Sequence, residues 1–182
     1  MRKIINSTFI TLDGVIANPH EWPPSDVQDD RGEALQTELL FACDAVLMGR
    51  HTYDSFAAAW PNRSGDPFSD RINSMSKYVV SSTLRDPQWR NTTVISGDPV
   101  AHVRRLKQES GQDIVQYGFG RLSYALLHHG LLDELRLWIH PLFLGRGGPQ
   151  ALLYRDGPLT RLRFVDARAL KSGDVILTYA QG

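Results

Sequence analysis

Cysteine is almost absent from this 182-residue chain, in which Cys43 is the single thiol. One cysteine excludes an intramolecular disulfide and any zinc cluster built on several thiolates. Cys43 lies at the end of the apolar run 39–43, so we interpret it as a core residue rather than as a nucleophile. The sequence therefore predicts no metal site.

An excess of charge of one sign and long apolar runs are also missing. Lysine plus arginine and aspartate plus glutamate number 20 each, so the formal net charge is zero. This balance gives no reason to expect nucleic acid or an anionic membrane as a partner. No apolar stretch approaches the ~20 residues that span a bilayer. The N-terminus turns polar too soon for a signal peptide, so we expect a cytoplasmic protein.

Hydrophobic residues make up 42% of the chain, which suits one globular domain over residues 1–182. Up to residue 130 the pattern alternates between short apolar strands and amphipathic helices. This alternation favours a mostly parallel sheet covered by helices on both faces. Strands are predicted at 3–10, 44–48, 77–81, 92–96 and 113–117, and helices at 29–43, 49–60, 99–109 and 120–129.

The remainder of the chain lacks helical patterns. Strands are predicted at 133–144, 162–170 and 175–179, and the turn at 172–174 indicates a hairpin. These strands are expected to add antiparallel pairs, which makes the sheet mixed. The segment 62–70 is predicted to be an exposed loop because it is rich in turn-forming residues. The predicted fold class is therefore a single α/β domain.

Two glycine turns stand where a predicted strand meets a predicted helix, one at Gly49 and one at Gly118. A helix N-terminus presents N–H groups and a positive dipole end, and glycine lets the backbone approach an anion closely. Arg50 and Arg121 add positive charge beside the turns. Each glycine alone is equally explained by a tight turn. The pair, each with its arginine, favours a bound pyrophosphate.

The second turn, 118–123, comes close to the dinucleotide fingerprint G-x-G-x-x-G, with Ser123 at the third glycine position. The acidic residue that should end the next strand is missing, because Asp133 and Glu134 precede that strand. A standard Rossmann domain is therefore disfavoured, although dinucleotide binding is not. The hydroxyl-rich segment 81–83, with Arg85, could hold the 2′-phosphate of NADPH; taken alone, it is better explained as a capped turn.

Three blocks of sequence together resemble a known family. The first block, 4–16, the second, 44–53, and the third, made of 118–120, 130–135 and 141–145, are similar, in this order, to stand-alone relatives of the riboflavin-biosynthesis (RibD-type) C-terminal reductase domain. This group belongs to the dihydrofolate reductase-like superfamily, and dihydrofolate reductase itself carries a Met-Gly-Arg-x-Thr segment similar to 48–52. The resemblance extends over nearly the whole chain.

The resemblance implies a dihydrofolate reductase-like three-layer fold, NADPH as cofactor, and a homodimer. It implies hydride transfer to a pyrimidine- or pteridine-like heterocycle, as in 5-amino-6-(5-phosphoribosylamino)uracil reductase. Dihydrofolate reductases carry adjacent glycines where this chain has Gly118-Phe119, which is a departure from the pattern. The cofactor-binding residues implied are Gly49, Arg50, His51, Thr52, Ser81, Ser82, Thr83, Gly118, Gly120, Arg121 and Leu122.

Reduction also requires a proton, and a carboxylate in an apolar cleft can supply it or bind the heterocycle. Asp13 is the best-placed candidate because ligands collect at the carboxyl ends of parallel strands; it is equally well explained as a turn residue. Glu33 is the second catalytic candidate, since dihydrofolate reductases carry their substrate carboxylate on the helix after a Trp-containing loop. Asp26 and Trp22 are candidate substrate contacts, Trp22 through stacking or by anchoring its loop.

The sequence leaves two classes of function open. The first is an NADPH-dependent reductase of a heterocycle. The second is a non-catalytic NADP(H)-binding protein of the same fold, an alternative that persists because no residue is a clear proton donor. A dihydrofolate reductase proper is a further option within the enzyme class, and the N-terminal segment resembles the riboflavin-type group more closely.

Overall fold

A computed structural model describes residues 1–27 and 29–182. Its strands are β1 Ile4–Thr11, β2 Cys43–Gly49, β3 Ser76–Val80, β4 Thr92–Ile95, β5 Asp113–Tyr117, β6 Glu134–His140, β7 Leu162–Ala169 and β8 Val175–Gln181. Its α-helices are α1 Asp30–Phe41, α2 Arg50–Ala59, α3 Pro67–Ser74, α4 Pro99–Gln108 and α5 Arg121–His128. Short 3-10 helices occupy Pro19–Glu21 and Pro149–Ala151.

All of these strands join one sheet in the order β4-β3-β2-β5-β1-β6-β8-β7. The strands from β4 to β6 pair in parallel, whereas β8 pairs antiparallel with β6 and with β7. The prediction of a mixed, mostly parallel sheet with a C-terminal hairpin is confirmed. Strand β6 forms the predicted antiparallel pair with β8, and it also lies parallel to β1, because helix α5 returns the chain to the starting edge of the sheet. This strand also ends at His140, before Pro141, which has no N–H to donate to a neighbour.

Helices cover both faces of the sheet. Both faces need cover because successive side chains of a strand point to opposite sides. On one face, Leu39 and Leu40 of α1 and Ile72 of α3 are buried against Val46. On the other face, helices α4 and α5 bury their apolar sides against alternate residues of the strands, such as Ile4. The predicted three-layer α/β architecture is therefore confirmed.

The segment 62–70 was predicted to be a loop, and this is wrong for its C-terminal end, where α3 begins. Asp66 caps this helix, because its carboxylate accepts a hydrogen bond from the backbone N–H of Ser69 at 2.9 Å. Pro67 occupies the first turn. Asp-Pro is typical of turns, but it is equally the N-cap and first residue of a helix. The burial of Ile72 in the core favours the helix over the turn.

The parallel pairing brings the carboxyl ends of β1, β2, β3, β5 and β6 to one edge of the sheet. The loops that follow these strands contain every glycine turn and hydroxyl segment singled out in the sequence. Ligands of open α/β sheets bind at this edge. Within the described ranges, none of the helices is both long and apolar enough to cross a membrane.

One buried cation lies far from this edge, at the start of β3. The Lys77 side chain is fully buried, and its Nζ donates to the carbonyl oxygens of Asn73, Met75 and Arg90 at 3.1, 2.8 and 3.2 Å. It also lies 4.6 Å from the ring centroid of Trp89. Burial, together with the charge of Arg90, lowers the pKa of Lys77 to about 8.

We expect the buried Lys77 to make the folded protein more stable as the pH rises from about 8 to 10.5. The ordinary pKa of lysine is 10.5, so between about pH 8 and 10.5 the unfolded chain binds more protons than the folded chain. The free energy of unfolding should therefore rise with pH across this window. Urea titrations should show a smaller rise in Lys77→Met, whereas exposed Lys171→Met should keep the wild-type slope. Equal slopes in all three proteins would contradict this assignment.

Candidate functional site

The two glycine turns converge, because β2 and β5 are neighbouring parallel strands. Gly118 adopts a left-handed conformation with φ +73, and a Cβ atom placed on it would lie 3.1 Å from Thr52 Oγ1. The turn after β5 therefore lies directly against the first turn of α2. Glycine is required at position 118 both for its backbone angles and for this close approach. The pyrophosphate expected from the sequence would lie at this pair of turns.

Two of the helices that begin at this edge are capped by glycine. Gly49 precedes α2 and Gly120 precedes α5, so neither helix has a side-chain oxygen from its cap residue on the first-turn N–H groups. Such N–H groups, with the positive end of the helix dipole, bind phosphate oxygens. The backbone of Gly120 donates to Ser123 Oγ at 3.3 Å, and Ser123 Oγ donates to the carbonyl of Gly118 at 3.2 Å. The hydroxyl group of Ser123 thus fixes the backbone of this turn.

A buried polar group on β1 supports the same turn, and the sequence analysis missed it. The side-chain amide of Asn6, which is fully buried, donates to the carbonyl of Gly118 at 2.8 Å and to Gln116 Oε1 at 3.0 Å. Thr8 Oγ1 donates to Asn6 Oδ1 at 2.7 Å. The available signal was the run of polar residues within an otherwise apolar strand, since buried polar groups need partners.

Arg50 links the turn after β2 to the turn after β3. Its Nε donates to the Asp54 carboxylate oxygens at 2.7 and 2.8 Å, and its Nη1 donates to Thr83 Oγ1 at 3.4 Å. The side chain of Arg50 remains 42% exposed, so its guanidinium is accessible at the cofactor edge. The pairing with Asp54 reduces the positive charge that Arg50 presents to a phosphate.

The hydroxyl segment divides into a structural residue and two exposed ones. Ser81 is buried, and its Oγ accepts hydrogen bonds from the backbone N–H groups of Thr83 and Leu84 at 3.2 and 3.0 Å. This corrects the expectation for Ser81, whose hydroxyl closes the turn instead of reaching a ligand. Ser82 and Thr83 are exposed beside it. They are the residues of the segment that are open to the adenosine end of a dinucleotide.

The remaining cofactor candidates lie around the two helix starts. His51 and Arg121 are exposed, and Thr52 is half-buried against Gly118. Leu122 packs against the core beneath α5, so only its backbone remains for a phosphate. The structure thus brings the predicted cofactor residues to one edge, with Arg50 and Arg121 at the starts of helices that pack on opposite faces of the sheet.

Asp13 follows β1 at the same edge, but its contacts correct the expected role as an acid. Its carboxylate accepts hydrogen bonds from Thr11 Oγ1 and from the backbone N–H groups of Leu144 and Gly145, the latter two at 3.2 and 2.8 Å. These bonds, with that of Thr11 the strongest, lower the pKa of Asp13. A carboxylate stabilised in its charged form is a poor proton donor. Asp13 instead fixes the loop after β6.

The remaining substrate candidates, Asp26, Glu33 and Trp22, differ in how far they are exposed. Asp26 and Glu33 are exposed. One turn after Glu33, Gln36 lies over β1, and its Nε2 donates to Ser7 Oγ at 3.2 Å. Gln36 was missed because its contact is with a residue distant in the chain. Trp22 is buried, and its indole N–H donates to the carbonyl of Ala17 at 3.0 Å.

The sequence analysis also missed a histidine–aspartate pair at this edge. His140 ends β6, and its Nδ1 lies 3.1 Å from Asp174 Oδ1, in the turn of the C-terminal hairpin. The rings of Phe9 and Trp22 pack edge-to-face against His140, with centroid distances of 4.9 and 5.4 Å. Trp22 therefore anchors the loop after β1 against β6.

The family assignment agrees with this architecture. The sequence profile described as the RibD C-terminal domain matches residues 2–176. The chain belongs to this family. The uncharacterised protein YyaP of Bacillus subtilis (strain 168) is 31% identical over 98% of this chain and 94% of its own length.

Solved structures share the fold of this RibD C-terminal domain at lower identity. A putative riboflavin biosynthesis protein from Shewanella sp. PV-4 is 20% identical, with a TM-score of 0.72 over 100% of this chain and 99% of its own. A diaminohydroxyphosphoribosylaminopyrimidine deaminase/5-amino-6-(5-phosphoribosylamino)uracil reductase from Thermotoga maritima is 15% identical, with a TM-score of 0.67. This chain corresponds to 57% of the Thermotoga protein.

We expect Gly118→Ala to destabilise the fold and to weaken cofactor binding. Its Cβ would meet Thr52 Oγ1, and its left-handed backbone costs a non-glycine residue about 1–2 kcal/mol. The free energy of unfolding, measured in urea, should fall by about this amount. Gly120→Ala is the control, because φ at Gly120 is −123 and a Cβ atom there meets nothing within 4 Å. Equal stability of the two variants would contradict the proposed close approach.

Arg50→Ala should raise the dissociation constant of NADPH by about tenfold, because it removes a charge-assisted phosphate contact of at least about 1.5 kcal/mol. Asp54→Asn is the matched control. It removes the partner of Arg50 but keeps the guanidinium charge, so NADPH should bind at least as tightly as to the wild type. Fluorescence titration measures both constants. Unchanged affinity in Arg50→Ala would show that the phosphates lie elsewhere.

Proposed function

We propose that this RibD C-terminal domain is an NADPH-dependent reductase that transfers hydride to a pyrimidine- or pteridine-like heterocycle. The observation that carries the proposal is the convergence of two glycine turns, at the starts of α2 and α5, in which a Cβ atom on Gly118 would lie only 3.1 Å from Thr52 Oγ1. A cradle of backbone N–H groups beside Arg50 and Arg121 suits a diphosphate with two negative charges.

The nicotinamide ring would extend from this diphosphate along the sheet edge towards β1. The cofactor supplies the hydride, so the protein has to bind and orient the two reactants and exclude water. On the far side of β1 lie the side chains of Gln36, Trp22 and His140, which are polar or aromatic and therefore suited to a flat heterocycle. The leading substrate is 5-amino-6-(5-phosphoribosylamino)uracil, the compound after which the similar reductase from Thermotoga maritima is named.

Reduction of this aminouracil tests the proposal directly. The purified protein should oxidise NADPH when the aminouracil is added, and the absorbance of NADPH reports the rate. Dihydrofolate with an antifolate distinguishes a dihydrofolate reductase. Binding of NADPH without oxidation in the presence of any of these heterocycles would instead identify a non-catalytic NADP(H)-binding protein.

Preference for NADPH over NADH is proposed to depend on the exposed residues of the segment 81–83. Ser82→Asp places a negative charge where the 2′-phosphate is expected. Repulsion of about 1 kcal/mol or more should raise the dissociation constant of NADPH by at least about fivefold. The dissociation constant of NADH should stay unchanged. Ser82→Asn, which has the same shape without the charge, should retain the wild-type preference. Equal weakening of both cofactors in Ser82→Asp would remove this segment from 2′-phosphate recognition.

A further inference from the structure

His140 and Asp174 form a polar pair that the proposed cofactor site does not use. They lie on the flank of β1 opposite to the glycine turns, because β6 pairs with β1 and places His140 beside Thr11. Their side chains are only 23% and 14% exposed. A histidine and an aspartate enclosed together next to a ligand-binding edge need an explanation beyond packing, since burying polar groups costs free energy.

The two ring nitrogens of His140 have different surroundings. Nδ1 lies 3.1 Å from Asp174 Oδ1 but makes no aligned hydrogen bond with it, and Asp174 Oδ2 accepts a hydrogen bond from Ser172 Oγ at 2.9 Å. Nε2 is buried, and no residue of the described ranges donates to it or accepts from it. The carboxylate favours the tautomer that carries its proton on Nδ1. In that tautomer, the buried Nε2 presents a lone pair that lacks a donor.

The charge state of His140 agrees with this tautomer. Burial lowers the pKa of His140, and the opposing effect of the Asp174 carboxylate is smaller. The other groups packed on the ring, Phe9 from β1 and Trp22 from the following loop, are uncharged. His140 is therefore neutral at neutral pH, and its Nε2 acts as a hydrogen-bond acceptor.

We propose that His140, oriented by Asp174, is a substrate-recognition residue whose Nε2 accepts a hydrogen bond from an N–H group of the heterocycle. The inference rests on the proposed function and adds to it a contact that selects the substrate. A ring N–H or an amino group of a pyrimidine satisfies this acceptor. A carbonyl oxygen at the same place does not, because it would face the lone pair.

The proposal requires Trp22 to move, because its indole packs edge-to-face on the His140 ring. The segment 17–22 is suited to such a movement, because its hydrogen bonds are mainly internal: Trp22 Nε1 donates to Ala17, and Glu21 N–H donates to Asn18. A longer contact of 3.4 Å, from Arg146 Nη2 to the carbonyl of Glu21, joins the segment to the loop after β6. A flat heterocycle would take the place of the indole against His140.

The test begins with the tautomer, which does not depend on activity. Long-range nitrogen–proton NMR spectra of the histidines should show His140 protonated on Nδ1 at neutral pH, with the signal assigned by its loss in His140→Phe. Asp174→Asn should move the proton to Nε2, because an amide N–H can donate to Nδ1. Asp166→Asn, which removes the carboxylate of an exposed ion pair on β7, should leave the tautomer unchanged. A wild-type proton on Nε2 overturns the proposal.

Binding of 5-amino-6-(5-phosphoribosylamino)uracil to the NADP⁺-loaded protein is the second measurement. His140→Phe keeps a ring against Phe9 and Trp22 but removes the acceptor, and Asp174→Asn converts the acceptor to a donor. Both should raise the dissociation constant of the aminouracil about tenfold or more, with NADPH affinity unchanged. The double variant should be no weaker than the worse single variant, because both changes remove one contact.

The pH dependence separates recognition from mere packing. In the wild type, the dissociation constant of the aminouracil should rise as the pH falls through the lowered pKa of His140, because protonation of Nε2 removes the lone pair. This acid limb should be absent in His140→Phe. If folded His140→Phe binds the aminouracil as tightly as the wild type, His140 has no part in recognition, while the reductase proposal stands. If the wild type binds no heterocycle, both proposals fail.

Discussion

The side-chain amide of Asn6 is the interaction on which the cofactor edge depends. Asn6 lies in the central strand, where water does not reach, and it donates to the Gly118 carbonyl and to Gln116. Gly118 has to hold a left-handed conformation within reach of Thr52, and a carbonyl fixed from below cannot rotate out of that position. Since a buried amide without partners is costly, Asn6 and the turn keep each other in place.

The two flanks of β1 differ in chemistry because they receive different parts of the chain. The β5 flank carries glycine turns and helix starts, which present backbone N–H groups to an anion. The β6 flank carries aromatic and titratable side chains, since its strand continues into a loop instead of a helix. Asp13 ties that loop down through the backbone of Leu144 and Gly145. Its carboxylate is therefore occupied in holding the edge together.

The sequence allowed the local features to be predicted, since these depend on neighbours in the chain. Strand β5 was predicted with its observed bounds, Asp113–Tyr117, and both glycine turns were recognised from their position between strand and helix. Partnerships across the fold were not accessible in this way. Asn6 and Gln116 are 110 residues apart, and no periodicity links them. For the same reason the sequence left Asp13 equally explained as an acid or as a turn residue, because the backbone N–H groups that bind it, those of Leu144 and Gly145, lie beyond β6.

Strand β1 is the only strand of the described sheet that pairs with both β5 and β6, and this has an evolutionary consequence. On the proposed function, the residues that hold the nucleotide follow β2, β3 and β5, whereas the proposed recognition pair, His140 and Asp174, lies beyond residue 130. Replacements at this pair would alter the compound that is recognised while the nucleotide-binding turns stay intact. Proteins with this arrangement would change their substrate through substitutions on the β6 flank of β1 alone.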